Sequence, residues 1–433
     1  MKYKKFTLEN GLRVILAPMT ETGTATVLVM TGVGSRFETR KENGIAHFLE
    51  HMMFKGTTKR PTAFDISREL DSIGAEYNAF TGKEYTGYYA KVEAHHWETA
   101  LDVVSDMFLN AKIDQDEIDR ERGTIIQEIN MYEDMPARKV GDFWEEHLYG
   151  DTPLGWDIAG PKENIKAFNR RDFVKYMERG YVGGNVVVGI AGNIDPKKVM
   201  AEVEARFGVV KTGARPEFKK ASDRQSAPGV FIHKKKTDQT HFLLGVRGYD
   251  MYHPDRFALG ILSVILGGGM SSRLFIEVRE RRGLAYRVRT EVESFHDAGY
   301  IATQCGVEHV NLEKAIAVIL DEYKKIATEK VGKDELRKAK EYIKGGLAMG
   351  LEGSDEVVEY LVSQEILKSE IVLPKDKVRA IERVTADDVL RVAQDLFRND
   401  RLNLAIVGPQ DARKKAKLEK MMDLRISSIV SSV

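Results

Sequence analysis

Two stretches of this 433-residue chain repeat each other in order, and that duplication constrains the fold more than any single motif. Gly87-Tyr88-Tyr89-Ala90 returns 212 residues later as Gly299-Tyr300-Ile301-Ala302, and the helical run ALDVVSDMF returns as AIAVILDEY. Each half runs through a strand (ATVLVMTGVGS; HFLLGVRGYD), an apolar helix, Gly-rich text, a second strand and a further helix. Two copies predict paired homologous domains rather than a solenoid. Residues 211–229, KTGARPEFKKASDRQSAPG, are charged, contain Pro and Gly, and lack apolar periodicity, as an exposed connection does. The expected domains are 1–215 and 225–433, with a linker at 216–224. Strands alternate with helices yet join partly through hairpins, such as a turn at Asn10-Gly11. The expected class is therefore α+β, each domain an antiparallel-rich sheet with helices packed on one face.

The chemistry-bearing run is His47-Phe-Leu-Glu50-His51. Residues four apart stack on one face of a helix, so His47 and His51 can offer imidazole nitrogens to one metal ion while Glu50 lies beside them. A catalytic zinc takes three protein ligands and keeps a further position open, so another ligand must come from elsewhere. Residues 114–134, DQDEIDRERGTIIQEINMYED, read as a helix with an apolar stripe at Ile118, Ile125, Ile126 and Ile129. Glu121 and Glu128 are seven residues apart and return to nearly the same face, so one can ligate while the other supports. If the halves match, Gly260, Ser263 and Val264 fall opposite His47, Glu50 and His51, and the Glu128 helix maps near Gly346. The second half then cannot hold the metal.

HFLEHMMFKGT resembles the inverted zinc motif H-x-x-E-H of the pitrilysin and insulin-degrading metallopeptidases, a group that includes the mitochondrial processing peptidases. In that family the third ligand is a Glu separated from the second His by 76 residues, a spacing that lands on Glu128 here. ERGTIIQEINMYEDMP resembles the family's second motif and places Glu121 as the supporting glutamate. The likeness extends through the chain, including the text around Asn78 and Tyr286. It implies Zn2+ held by His47, His51 and Glu128, Glu50 as general base, and Glu121 orienting a ligand histidine. It further implies an endopeptidase for unfolded peptides working inside a closed chamber.

Two segments are expected to handle substrate. EYNAFT, then YTGYYAKV, reads as adjacent strands. In similar proteins the first is an exposed edge that pairs with an extended peptide, a role that falls to Asn78 and Ala79. In the second half Arg279 and Tyr286 match an Arg/Tyr pair of the insulin-degrading enzymes, suited to gripping peptide carbonyls and donating to a developing oxyanion. Arg281 and Arg282 leave the choice of arginine open. The chain has the length of one half of the larger family members, which implies a homodimer whose active site is completed by the partner subunit.

Charge and composition exclude other classes. With 66 basic against 66 acidic residues there is no global field to favour nucleic acid or an anionic membrane. No run of about 18 apolar residues spans a bilayer. The N-terminus lacks the apolar core and cleavage site of a secretory signal, so a cytoplasmic location is expected. A single cysteine, Cys305, excludes an intramolecular disulfide and reads as a buried small residue. Gly267-Gly268-Gly269 lacks the Lys-Ser/Thr of a phosphate loop and reads as a turn. His95-His96 has no third partner at ligand spacing and reads as structural or exposed. Alternatives to a self-sufficient peptidase are a noncatalytic scaffold subunit of the same fold and a catalytic subunit that needs a distinct partner chain.

Overall fold

In the computed structural model, residues 1–424 are described. The first stretch contains β1 (Lys4–Thr7), β2 (Arg13–Pro18), β3 (Thr24–Thr31), α1 (Ile45–Met52), α2 (Ala63–Asp71), β4 (Glu76–Thr81), β5 (Thr86–Glu93), α3 (Trp97–Asn110) and α4 (Gln115–Glu133). Next come α5 (Pro136–Tyr149), α6 (Lys162–Ala167), α7 (Arg170–Gly180), β6 (Val186–Gly192), α8 (Pro196–Phe207), β7 (Gly229–Lys234), β8 (Thr240–Arg247), α9 (Arg256–Gly267), β9 (Ala285–Ser294) and β10 (Gly299–Val307). The last part holds α10 (Leu312–Thr328), α11 (Lys333–Met349), α12 (Ser354–Lys368), α13 (Pro374–Arg383), α14 (Ala386–Leu396), β11 (Leu402–Gly408) and α15 (Lys415–Met421). Among the described residues no helix is long and apolar enough to cross a membrane.

The strands build two sheets of the same plan. One runs β1-β2-β6-β3-β5-β4 and the other β7-β11-β8-β10-β9. Without β1 the two orders correspond strand for strand, and among the described residues each contains a single parallel pair, β2 with β6 and β7 with β11. The α+β class with two antiparallel-rich sheets is therefore as expected. The hairpin at Asn10-Gly11 also forms: β1 pairs with β2 from Lys4↔Leu16 to Thr7↔Arg13, with Gly11 at φ +86, a conformation that favours glycine.

By packing, the chain divides into two units. The first comprises Met1–Asn130, Trp156–Lys219 and Leu347–Pro374; the second comprises Met131–Gly155, Lys220–Gly346 and the described residues from Lys375 to Leu424. Each unit thus includes a helix drawn from the other half of the sequence. In the first, Val357, Val358, Leu361, Val362 and Ile366 of α12 bury against Ile15, Leu28, Met30 and Val187, on the sheet face away from the main core. Ser354 at the start of α12 shares hydrogen bonds with the hydroxyls of Thr24 and Thr26 at 2.9 and 2.8 Å, and buried Glu365 meets Lys5 at 2.7 Å and Arg13 at 3.2 Å. Gly189 lets the helix approach: a Cβ there would lie 2.2 Å from Val362 Cγ2. In the second unit α5 does the equivalent, burying Val140, Trp144 and Leu148 against Leu243, Ala302, Ala405 and Val407. Each sheet therefore carries helices on both faces, not on the one face expected, because α12 and α5 are drawn from the other half of the sequence to cover the second face. That explains why β3, TATVLVMT, is buried along nearly its whole length instead of alternating.

Candidate metal centre

α1 is short, and its position depends on how it begins. Gly44 precedes it at φ +100, and a Cβ there would meet Ala159 O at 2.6 Å, so a side chain is excluded both by space and by conformation. Gly44 offers no capping side chain, and Glu38 supplies the function instead. Its carboxylate accepts from Gly44 N at 3.0 Å, Ala46 N at 2.8 Å and Asn43 Nδ2 at 3.0 Å. Burial pushes the Glu38 carboxyl up to about 8, against the pull of those three donors. Ile45, Phe48, Leu49 and Met52 anchor the inner face of α1. His47, Glu50 and His51 are left partly exposed on the other.

α4 brings its carboxylates to that face. Glu128 Oε2 lies 3.5 Å from His47 Nε2 and 3.3 Å from His51 Nε2. Ligand atoms of these three residues all lie within 4.8 Å of one another. Two turns earlier, Glu121 Oε1 sits 2.9 Å from His51 Nδ1, and Lys55 Nζ meets Glu121 Oε2 at 2.5 Å. Burial would lower the affinity of His51 for a proton, but the hydrogen bonds its ring donates to both glutamates outweigh it and carry its pKa up to about 9. Burial likewise opposes ionisation of Glu121, yet its bonds to His51 and Lys55 hold its carboxyl below the ordinary range.

These residues fit a divalent metal. Ligand atoms about 2 Å from a tetrahedral ion stand roughly 3.3 Å apart, close to the separations here. Glu121 keeps a proton on His51 Nδ1, so Nε2, which faces Glu128, is the nitrogen free to ligate once its own proton is lost. His47 Nδ1 is buried without a hydrogen-bond partner among the described residues, so nothing competes to reverse that ring. Two imidazoles and one carboxylate are a donor set for zinc.

Glu50 lies outside that group, and the hydroxyl of Thr81 donates to its Oε2 at 2.5 Å. Thr81 ends β4, an edge strand that among the described residues pairs only with β5. On the same strand Asn78 is exposed and Ala79 nearly buried; Asn78 Oδ1 accepts from the Ala79 N–H at 2.9 Å.

Arg279 and Tyr286 belong to the second unit and meet each other there. Arg279 lies in a π-helical turn, Phe275–Glu280, with its guanidinium carbon 4.7 Å from the Phe275 ring and 4.6 Å from the Tyr286 ring. Its Nη1 donates to Tyr286 O at 3.0 Å, while Tyr286 is 80% exposed on β9, also an edge strand. Arg281 and Arg282 are both spent on Glu277, which separates them from Arg279.

His95 and His96 differ from the expectation. The chain turns at Ala94–His96, stacking the rings 3.7 Å apart and setting Glu93 3.1 Å from His95 Nδ1, so an acidic third neighbour is present. The group is largely exposed and stands at the start of α3, whose partial positive charge opposes a cation. Cys305 is buried, and burial pushes its thiol up to about 12, which makes it inert at neutral pH. Three contributors escaped the sequence analysis: Lys55, Thr81 and Glu38. Lys55 follows His51 by four residues and was the one detectable from helical spacing.

Comparison with known proteins identifies the family of the chain. Residues 13–162 match the family described as Insulinase (Peptidase family M16), and residues 167–343 match the Peptidase M16 inactive domain. An uncharacterized zinc protease of Streptomyces coelicolor is 36% identical, covering 96% of this chain and 91% of its own length. Another from Bacillus subtilis is 35% identical over 94% and 98%. In fold the chain is similar to a protease from Helicobacter pylori, with a TM-score of 0.87, 24% identity and coverage of 94% and 99%. A peptidase M16 inactive domain structure from Pseudomonas fluorescens gives the same TM-score at 18% identity, covering 95% and 99%.

Proposed function

Because the chain belongs to the insulinase family of peptidases, M16, we propose that it is a zinc-dependent endopeptidase acting on unfolded peptides. The observation that carries this reading is the convergence of His47 Nε2, His51 Nε2 and Glu128 Oε2, with Glu50 beside that set but not part of it. His47, His51 and Glu128 would hold the zinc, which when bound supplies a positive charge that acidifies water and polarises a peptide carbonyl. Glu50 takes the proton of the attacking water and passes it to the leaving amine. Glu121 holds the His51 ring in the ligating tautomer. The edge at Asn78 and Ala79 pairs with an extended peptide through main-chain hydrogen bonds, fixing register while leaving side-chain preference loose.

The finer reading follows the homologous halves 1–215 and 225–433, joined at 216–224: the first carries the chemistry and the second contributes Arg279 and Tyr286 as substrate contacts. The working form is a cytoplasmic homodimer enclosing a chamber, in which each zinc faces the partner's Arg279 and Tyr286. Glu50→Gln should retain one zinc per chain and lose cleavage of an unstructured peptide, whereas Glu128→Gln should lose much of the metal. Full activity in Glu50→Gln would overturn the assignment of the base. Mixing Glu50→Gln with Tyr286→Phe subunits should restore part of the activity, and no recovery in verified mixed dimers would refute the shared site. A chain that binds zinc yet cleaves nothing when purified alone would favour a catalytic subunit needing a distinct partner. One that binds no zinc would favour the scaffold reading.

A further inference from the structure

The hydroxyl of Thr81 is the one group outside α1 seen to hold Glu50 among the described residues, and it sits on the strand proposed to receive the peptide. We propose that Thr81 is a positioning residue that couples peptide pairing along β4 to the orientation of Glu50; this deepens the peptidase reading and rests on it.

Three features make Thr81 a rigid support. Gly82 N donates to Tyr85 O at 2.9 Å, closing a tight turn directly after it. The two residues of that turn are charged, buried and anchored: Lys83 Nζ donates to Trp156 O, and Glu84 pairs with the fully buried Arg36, each at 2.5 Å. On the near side the Phe80 ring lies over Gly87, where a Cβ would come within 2.4 Å of it. These contacts fix the backbone that carries the Thr81 hydroxyl.

Glu50 needs such a support. A glutamate has three side-chain torsions, and ordering them costs free energy that a single well-placed donor can offset. A free carboxylate beside two imidazoles and a divalent ion would also swing into the ligand set and cease to be available as a base. Donation to Oε2 keeps one oxygen occupied and leaves the other to accept a proton from water. Asn78 and Ala79 lie three and two residues before Thr81 on the same strand. A peptide that pairs there in register is consequently aligned against the base through one stiff element.

The test uses the zinc-loaded protein and a fluorogenic unstructured peptide, comparing Thr81→Val with Thr81→Ser. Thr81→Val is expected to lower kcat about tenfold or more with KM little changed. It should keep one zinc per chain with a Kd unchanged or tighter, and an unaltered melting temperature. Thr81→Ser, which keeps the donor, should restore most of kcat. In a Glu50→Gln background Thr81→Val should cause no further loss. A wild-type kcat in Thr81→Val overturns the proposal, as does a Thr81→Ser variant as slow as Thr81→Val. Loss of zinc or of thermal stability in Thr81→Val would make the role structural and equally overturn it. Full activity in Glu50→Gln alone would instead remove the underlying peptidase assignment, a separate outcome.

Discussion

Protonation of His51 in the metal-free protein gives the sharpest quantitative expectation. Its ring is hydrogen-bonded to Glu121 and lies against Glu128, with 22% of the side chain exposed, and these partners raise its pKa from 6.5 to about 9. A gap of that size corresponds to about 3 kcal/mol as an upper bound. The folded value lies above the unfolded one. The stabilisation is therefore fully present below pH 6.5 and is lost as pH rises through about 9. At pH 7 nearly every metal-free chain then carries the His51 proton, whereas an unperturbed ring would carry it in about a quarter of chains. A metal ion must displace that proton, so its apparent affinity should rise about tenfold per pH unit between 7 and 9. Chelator-stripped protein with labelled histidine, followed by NMR from pH 5.5 to 10, should show one ring titrating near 9. Glu121→Gln should move that midpoint down. Competition with a chromophoric chelator at pH 7, 8 and 9 should reveal the slope. A His51 midpoint at or below 6.5, or a zinc affinity flat over that range, would refute the electrostatic account of the site.

Two further outcomes bear on the frame around the site. Gly189→Val should destabilise the protein by about 1–3 kcal/mol in urea unfolding, because its Cβ would collide with Val362 and Val358 of α12; Val362→Ala in the same chain should recover part of the loss. Glu38→Gln weakens the cap on α1 but also removes a carboxyl whose folded pKa, about 8, exceeds the ordinary 4.5. Its melting deficit against the parent should be greatest below pH 5 and shrink as pH rises toward 8, and a deficit that widens over that window would contradict the burial argument.

The site was legible to different depths. The facing of His47, Glu50 and His51 follows from helical period alone, since positions three and four apart share a face wherever the helix is placed. Selecting Glu128 over Glu121 required family spacing, because both residues project from the same side of α4; in the structure Glu128 reaches both imidazoles and Glu121 reaches the far nitrogen of one. Thr81 carried no signal, as its sequence neighbourhood describes a strand and says nothing of the helix whose carboxylate it meets. His95 and His96 were set aside because the turn that swings Glu93 toward them has no local pattern.

By itself the amino-acid order determined the local chemistry and the plan of each half: strand alternation, the Asn10-Gly11 turn, the ligand face of α1 and a duplicated series that yields two sheets of corresponding order. These depend on neighbours within a few residues or on a repeat visible along the line. Only the tertiary structure decided that α12 covers the first sheet and α5 the second, that Glu38 caps the start of α1, and that Thr81 reaches Glu50. An apolar helix face records that it must be covered without recording by which sheet. A lone donor or carboxylate records what it can bond without recording where its partner stands, because burial and hydrogen bonding act through space between groups distant along the chain.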